Sequence, residues 1–434
     1  MSATRQNSPD TDSHPAQRTN AVGLVFGRAT HSYEMLLLEE SRRLLGTSDG
    51  KAKKVRNSGI SFPHPSVSPL SAKELDVAAK NLLGLQRGLT GERVLIGSSY
   101  MDEKQQLSSY LLFYWPVSYA QTQAMLAMAR FSPGIQKIRI LDLGSGPGPC
   151  SLAAADYLRA DNYSVQIEIT ACDRSELALK SARQLAEASG YEMKTTPNWD
   201  ASATGIPDGS FELIIMGHLI NELWKDQQDR LERRLAFLES AFSRLAPHGA
   251  VLVLEPALMG TGRELLDLRD RLAASGKSIL APCVRNGPCP ALQTPGHTCH
   301  SDFAWPLPEV VRELGARAGL DKELVKTTAF VMSNRNDQTG GGLEEDNTWR
   351  VVSEPILNKA GRTRYLLCGE QGRIPFSAKQ GTGFPAEKVF FSLRRSDLIF
   401  LEGAEKRESG LGLSASTRII KTGSGAVDGS SRRG

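Results

Sequence analysis

The stretch Ile138-Arg-Ile-Leu-Asp-Leu-Gly-Ser-Gly-Pro-Gly-Pro149 constrains the fold of this chain more than any other. An apolar strand runs straight into a glycine-rich turn, and Pro149 then opens a helical pattern through Leu152 and Ala155. Glycines let a backbone approach a ligand closely, and the helix N-terminus that follows offers amide donors to it. Strand candidates at Ile138 to Leu143, Val165 to Cys172, Phe211 to Met216 and Val251 to Glu255 alternate with helical stretches at about 149–159, 175–189 and 226–246. That alternation predicts an α/β fold, a parallel sheet with helices on both faces.

The flanks read differently. Ser71-Ala-Lys-Glu74 is a capping box ahead of Leu75, Val77, Ala78, Leu82 and Leu83 at helical spacing, and a second helix is expected to begin at Pro116, where a missing amide proton costs nothing. Beyond residue 345, short apolar runs at Trp349 to Val352, Arg364 to Leu367 and Val389 to Leu393 predict strands of a small β unit. The expected organisation is a disordered tail over 1–20, a helical region over 21–130, a Rossmann-like domain over 131–280, a cysteine-rich segment with a helix over 281–345, a small β unit over 346–402 and a disordered tail over 403–434. Both tails are rich in Ser, Gly and charge and poor in apolar residues that would offset chain entropy.

Six cysteines in 434 residues are too sparse for a disulfide scaffold, and Cys150 and Cys172 fall inside core elements, which points to a reducing compartment. The other four stand apart. Cys283, Cys289 and Cys299 share a stretch with Pro282, Gly287, Pro288, Pro290 and Pro295, and Cys368 follows after a gap of 68 residues. Turn-forming loops of this kind let thiols converge on one point, and four soft thiolates suit zinc or an iron–sulfur cluster. Gaps of 5, 9 and 68 do not match the close cysteine pairs of zinc ribbons, although an irregular zinc site stays open, as does His297 or His300 replacing a cysteine.

No apolar run reaches the roughly 18 residues that span a bilayer. The first twenty residues lack an apolar core, so they do not read as a secretory signal, and Asp10 and Asp12 count against a mitochondrial transit segment. A net charge of +4 permits nucleic-acid binding without requiring it, and cations gather at Lys51, Lys53, Lys54 and Arg56 and at Arg362, Arg364, Arg373, Arg394 and Arg395.

A dinucleotide fingerprint would need a glycine where Pro149 stands. Asp142-x-Gly-x-Gly-x-Gly148 instead resembles the first motif of Rossmann-like S-adenosylmethionine methyltransferases, and Asp173, closing Ala171-Cys-Asp, matches their acidic residue after the second strand. Ile206-Pro-Asp208-Gly-Ser-Phe-Glu-Leu-Ile-Ile resembles their approach to the fourth strand. The resemblance implies that Asp142 lies near the methionine amine, that Gly144, Ser145, Gly146 and Gly148 line the ligand, and that Asp173 accepts the ribose hydroxyls. Met216-Gly-His218-Leu-Ile-Asn221-Glu222 is not the Asn-Pro-Pro-Tyr type of segment used for amino methylation, so the catalytic residues are unknown from sequence.

Ala281-Pro-Cys283-x3-Gly-Pro-Cys289-Pro, Cys299-His300, Leu254-Glu255-Pro256, Leu367-Cys368-Gly-Glu-Gln-Gly372 and Tyr110-Leu-Leu-Phe-Tyr-Trp-Pro116-Val-Ser-Tyr119 together resemble the methyltransferase-like assembly factors of the small ribosomal subunit, the Rsm22 family of mitochondria with bacterial relatives. Val284-Arg285 and Thr298 depart from that family's usual Pro-His and aromatic residue. The resemblance implies a Rossmann-like S-adenosylmethionine methyltransferase fold with an N-terminal helical region and a C-terminal metal-bound small β unit. It further implies a 4Fe-4S cluster on Cys283, Cys289, Cys299 and Cys368 (zinc being the alternative) and S-adenosylmethionine as cofactor. The implied partner is small-subunit rRNA or the small ribosomal subunit, met as a monomer without a membrane, in the cytoplasm of a bacterium or the matrix of a mitochondrion. Two functions follow, an RNA methyltransferase or a non-catalytic RNA-binding assembly factor.

Overall fold

A computed structural model describes residues 33–46, 69–91, 100–334 and 347–423. The expected tail over 1–20 and the cations Lys51, Lys53, Lys54 and Arg56 lie outside the described residues. Three helices lead in: α1 over 33–45, α2 (Ala72–Gln86) and α3 (Lys104–Met128). The capping box forms at α2, where the Ser71 hydroxyl accepts from the Glu74 amide at 3.3 Å and Glu74 Oε2 accepts from the Ser71 amide at 2.7 Å. Pro116 does not start a helix; it lies inside α3. Leu107, Leu111 and Leu112 carry the apolar face upstream of it, and packing on all sides supplies what one lost backbone bond removes.

The central sheet contains β1 (Lys137–Leu143), β2 (Gln166–Cys172), β3 (Glu192–Thr196), β4 (Phe211–Gly217), β5 (Leu245–Glu255), β6 (Ser278–Ala281), β7 (Ser301–Ala304) and β8 (Leu324–Ser333). Its order is β3-β2-β1-β4-β5-β8-β6, with β7 paired to the start of β8. Strands β1 to β5 run parallel, whereas β8 is antiparallel to both β5 and β6. Strand alternation fills two cores. Ile140, Leu213 and Leu252 pack with α3, α4 (Pro149–Asp161) and α5 (Glu176–Ala188), while Leu141, Ile214 and Val251 pack with α6 (Arg230–Phe242) and α7 (Met259–Ala274). Helix α8 (Glu309–Ala318) rests on α2 and α3 through Val311, Leu314 and Phe113.

A second sheet follows, of β9 (Thr348–Val351), β10 (Ile356–Leu357), β11 (Arg362–Gly369), β12 (Gly372–Lys379), β13 (Leu398–Glu402), β14 (Glu405–Arg407), β15 (Gly410–Gly412) and β16 (Arg418–Gly423). Its order is β14-β15-β12-β11-β9-β13-β16, with β10 on β11. Two expectations are corrected. Val389 to Leu393 is not a strand, because α9 (Glu387–Phe391) occupies it. Ala386, Phe390 and Leu393 are the buried positions, and that spacing is helical. Nor is the chain from 403 onward a tail, since β14 to β16 continue to Gly423 and bury Leu413 and Ile419; residues 424–434 lie outside the described residues.

Phe390 meets Tyr365, Phe376 and Phe391 with ring centroids 5.2, 4.9 and 5.0 Å away. Phe390→Ala is expected to destabilise the β unit by about 3–5 kcal/mol in denaturant unfolding followed by circular dichroism; a loss below about 1 kcal/mol would contradict this packing.

Candidate functional site

The glycine loop opens where β1 ends. Gly144 and Gly148 hold φ of 69° and 77°, and a Cβ would come to 2.9 Å from Leu219 and 3.1 Å from Ala182, so backbone conformation and space both require glycine there. The Gly144 and Ser145 amides donate to the Cys172 carbonyl at 2.8 and 3.0 Å, tying the loop to the end of β2. From the other side the Trp115 indole donates to the Pro147 carbonyl at 3.0 Å.

Two carboxyls face this loop. Asp142 is buried; its Oδ2 accepts from the Ser151 amide at 3.1 Å, and its Oδ1 has no hydrogen-bond partner among the described residues. Burial pushes this carboxyl up to about 7, against the Ser151 hydrogen bonds and with a further push from Asp173. Half-buried Asp173 accepts from the Gly146 amide at 2.7 Å through Oδ2 and from the Ser175 amide at 2.8 Å through Oδ1. Its pKa is raised by burial. Both oxygens thus hold protein amides, and each keeps a lone pair for a ligand hydroxyl.

Sequence reasoning missed the residues that surround these carboxyls. Met101, in a short turn over Tyr100–Asp102, reaches to 3.6 Å of where a Gly146 Cβ would stand, and Asp102 accepts from the Ser175 hydroxyl at 2.7 Å. Burial raises the pKa of the Tyr100 and Tyr110 hydroxyls most; Tyr110 then acts on Tyr100 and Cys150 on Tyr110, with Glu222 and Asp173 adding to both. A turn of three residues has no periodicity to read, and Tyr110 entered the sequence reading only within the helical segment that carries the family resemblance.

Behind the loop, the segment after β4 is tied down. His218 sits at φ 59° with Nε2 3.1 Å from Gln121 Oε1, and burial, then Lys322, pushes it down to about 4. The Asn221 amide donates to Glu255 Oε1 at 2.9 Å, and its side-chain Nδ2 donates to Glu255 Oε2 at 2.5 Å and to the His218 carbonyl at 3.1 Å. Burial pushes Glu255 up to about 8. Arg234 grips the same segment by donating to the Leu223 and Asn221 carbonyls at 2.9 and 3.0 Å.

The four singled-out cysteines lie at the junction of the two sheets. Cys283 follows β6, Cys289 lies in the next loop, Cys299 precedes β7 and Cys368 stands in β11. Burial and then the Cys283, Cys299 and Cys289 thiols push Cys368 up to about 12, and burial followed by Cys283 and Cys299 pushes Cys289 up to about 11. The thiols therefore lie near enough to raise one another's pKa. Among the described residues, no group of three or more His, Cys, Asp or Glu side chains stands ready to hold a metal ion. His297 is exposed, and His300 is pushed down to about 4 by burial and by Arg395 and Lys326. Cys150 and Cys172 are buried elsewhere, in α4 and β2.

Arginines build the junction. Arg269, 2% exposed, donates to the Gly287 and Arg285 carbonyls at 2.6 Å each, and its neighbour Asp270 accepts from the Cys289 amide at 2.8 Å. Arg263 donates to the Ala291, Thr294 and His297 carbonyls at 3.3, 3.2 and 2.5 Å. Arg350 lies opposite Cys368 across β9 and β11, and Arg373 lies opposite it across β11 and β12. Burial pushes Arg350 down to about 10 against the pull of Cys283, Cys299 and Cys368. Buried donors without a hydrogen-bond acceptor among the described residues include Arg269 Nε, Arg285 Nε, Arg373 Nε, Arg395 Nε and Thr298 Oγ1. The structure thus sorts the cations noted in the sequence, with Arg373 beside Cys299 and Arg395 on Asp302 at 3.4 Å, while Arg364 and Arg394 are exposed.

A family model described as mitochondrial small ribosomal subunit Rsm22 matches residues 104–382. No curated protein matches the chain. Among solved structures, a protein titled a class I S-adenosylmethionine-dependent methyltransferase from Listeria monocytogenes shares 11% identity at a TM-score of 0.38, covering 73% of this chain and 91% of its own. A methyltransferase from Geobacter sulfurreducens in complex with S-adenosyl-L-homocysteine shares 17% at 0.30, covering 50% and 91%. The ribosomal protein L11 methylase from Lactobacillus delbrueckii subsp. bulgaricus shares 19% at 0.27, covering 37% and 70%. The chain has an α/β fold with a mixed sheet. No helix among the described residues is long and apolar enough to cross a membrane.

Asp142 and Glu255 titrate near 7 and 8 in the folded chain, above the roughly 3.9 and 4.3 of free carboxyls. The folded state then holds more protons than the unfolded state between these limits, so both groups make stability fall as pH rises from about 4 to about 8. The pair Asp142→Asn and Glu255→Gln is expected to flatten the decline in Tm between pH 5 and 8.5; a variant curve parallel to the parent would show that neither carboxyl is held protonated.

Proposed function

This chain belongs to the mitochondrial small ribosomal subunit Rsm22 family, and from that membership we propose that it is an S-adenosylmethionine-binding, iron–sulfur factor acting on the small ribosomal subunit and its RNA. The observation that carries the cofactor reading is Asp142 Oδ1, a buried acceptor without a partner beside a loop of left-handed glycines. An α-ammonium group is the complement of such an oxygen. Ionised Asp142 would hold that ammonium, Gly144, Ser145, Gly146 and Gly148 would let the ligand lie against bare backbone, and Asp173 would use its remaining lone pairs on the ribose hydroxyls. S-adenosylmethionine, when bound, supplies an electrophilic methyl group.

Cys283, Cys289, Cys299 and Cys368 would hold a 4Fe-4S cluster, with zinc as the alternative. The donor set fits an anionic, sulfur-rich group: Arg269 acts on Cys289 and Arg373 on Cys299 and Cys368, and the buried Nε–H of each lacks an acceptor among the described residues. When bound, such a cluster supplies four strong iron–thiolate bonds, and because Cys368 belongs to the second sheet, the residues would fasten that sheet to the first.

Of the two functions, the non-catalytic assembly factor is favoured. Both Nδ2 hydrogens of Asn221 are committed, to Glu255 and to the His218 carbonyl, in the segment after β4 where an amino-methylating enzyme presents its substrate-holding residues. The RNA methyltransferase is the second reading, favoured by the intact glycine loop. Labelled S-adenosylmethionine incubated with unmodified small subunits is expected to leave the RNA unlabelled; label in the RNA would put the methyltransferase first.

Calorimetric titration with S-adenosylmethionine should show affinity that falls as pH drops below about 7, because the ammonium pairs with the ionised carboxylate. Asp142→Asn should lose about ten- to a hundredfold, the worth of a charge-assisted hydrogen bond, along with the pH dependence; binding unaffected by it would refute this role. Anaerobic purification should yield a brown protein with about four irons per chain, and Cys368→Ser should lower that content. A colourless protein carrying one zinc would overturn the cluster.

A further inference from the structure

We infer that the outer face of the β11–β12 hairpin is a binding groove for the phosphate backbone of single-stranded RNA, separate from the glycine loop and the thiol junction. It rests on the small-subunit reading only in taking RNA as the polyanion. Strand alternation creates the face: Tyr365 and Leu367 turn into the β core, so Arg362 and Arg364 turn outward. A cavity of about 180 Å³ lies there, and its walls include Arg362, Arg364 and Arg407 with Asn358, Ser377 and Ser409. Among the described residues, no Asp or Glu lines it. Glu405 reaches Arg407 at 2.7 Å, whereas neither Arg362 nor Arg364 has an ion-pair partner among the described residues.

Register adds a second observation. Arg362 pairs directly with Lys379 across β11 and β12, and Arg364 pairs with Ser377, whose hydroxyl accepts from Arg407 at 3.3 Å. Like charges directly opposite one another destabilise a sheet, so this arrangement costs stability that an anionic partner would return. Successive outward positions on a strand lie about 6.6 Å apart, which makes the cations a row rather than a point. A row suits a chain of phosphates better than one free anion. Guanidinium forks, hydroxyls and an amide are all donors and match phosphate oxygens, while Ile356, Pro375 and Leu411 on the same walls offer apolar contact to sugar and base. A cavity of this volume admits a phosphate with part of its sugar or base, as an unpaired strand presents them.

Fluorescence anisotropy of the full chain with a labelled single-stranded RNA, from 50 to 300 mM salt, tests this. The double variant Arg362→Gln, Arg364→Gln should bind several-fold more weakly, with a log–log salt slope shallower by about 1.4, two contacts at about 0.7 each. Arg362→Lys, Arg364→Lys should keep the slope, and Arg394→Gln, an exposed cation outside the cavity, should change nothing. Unchanged melting curves for the variants keep the comparison fair. Parent-like affinity and slope in the glutamine variant overturn the groove while leaving the small-subunit reading intact; no RNA binding by the parent overturns both. Full displacement of RNA by 10 mM inorganic phosphate or by an oligoglutamate peptide would likewise reject RNA as the occupant.

Discussion

Arg350 is the charge on which the joining of the two sheets depends. It is 9% exposed, and its guanidinium donates to the Pro282 carbonyl at 2.8 Å and to the Ser396 carbonyl at 2.9 Å, one on the cysteine loop of the first sheet and the other in the turn before β13. A buried guanidinium is costly unless acceptors surround it, so those carbonyls and the facing thiols must be in place together. The rest of the joint follows from that requirement. At β7 the Asp302 amide donates to the Ser396 hydroxyl at 3.0 Å, and Arg395 turns inward onto the Asp302 carboxylate. Removing Arg350 would therefore release two loops rather than one contact.

The two candidate sites carry opposite electrostatics. Near the glycine loop, Asp142, Asp173 and Glu255 all have raised pKa values, burial being the largest cause for each, and a cation would relieve them. At the thiols the surplus is guanidinium, and an anion would relieve it. Strand β8 lies between them: the Thr327 hydroxyl donates to the Glu255 carbonyl at 3.1 Å, and the next residue, Thr328, donates to the Cys299 carbonyl at 3.2 Å. Successive side chains of a strand point to opposite faces, so this pair fixes both sites to one backbone element.

What was legible in the sequence was what local chemistry determines. The strand, the left-handed glycines and Pro149 specify the loop by backbone conformation alone, and the Ser71–Glu74 box needs only residues in one turn. What was illegible depends on partners distant in sequence. Pro116 reads as a helix start until the buried environment of α3 is known, and Val389 to Leu393 reads as a strand until Phe390 is seen to fill the space between Tyr365 and Phe376. The arginines show the same limit. Arg364 and Arg373 belong to one hairpin and look alike in sequence, but register sets the first beside Ser377 on the groove and the second beside Cys368 at the thiols. Sequence spacing brought the four cysteines to notice; only the pairing of β9 with β11 put Arg350 opposite one of them.

The glycine loop and the segment after β4 point in different directions, and the difference is physical. A loop built to bind must keep unsatisfied groups, and Asp142 Oδ1 is one. A segment built to act on a nucleobase amine must keep a donor or acceptor free to hold it, yet Asn221 spends both side-chain hydrogens on Glu255 and the His218 carbonyl, while Arg234 fixes the backbone on either side. Freeing Asn221 would strand the Glu255 carboxyl in a buried setting where its pKa is already pushed up to about 8. The segment is therefore held by the same burial that makes its release expensive. The loop thus keeps an acceptor open beside a segment whose Asn221 side-chain donors are both engaged.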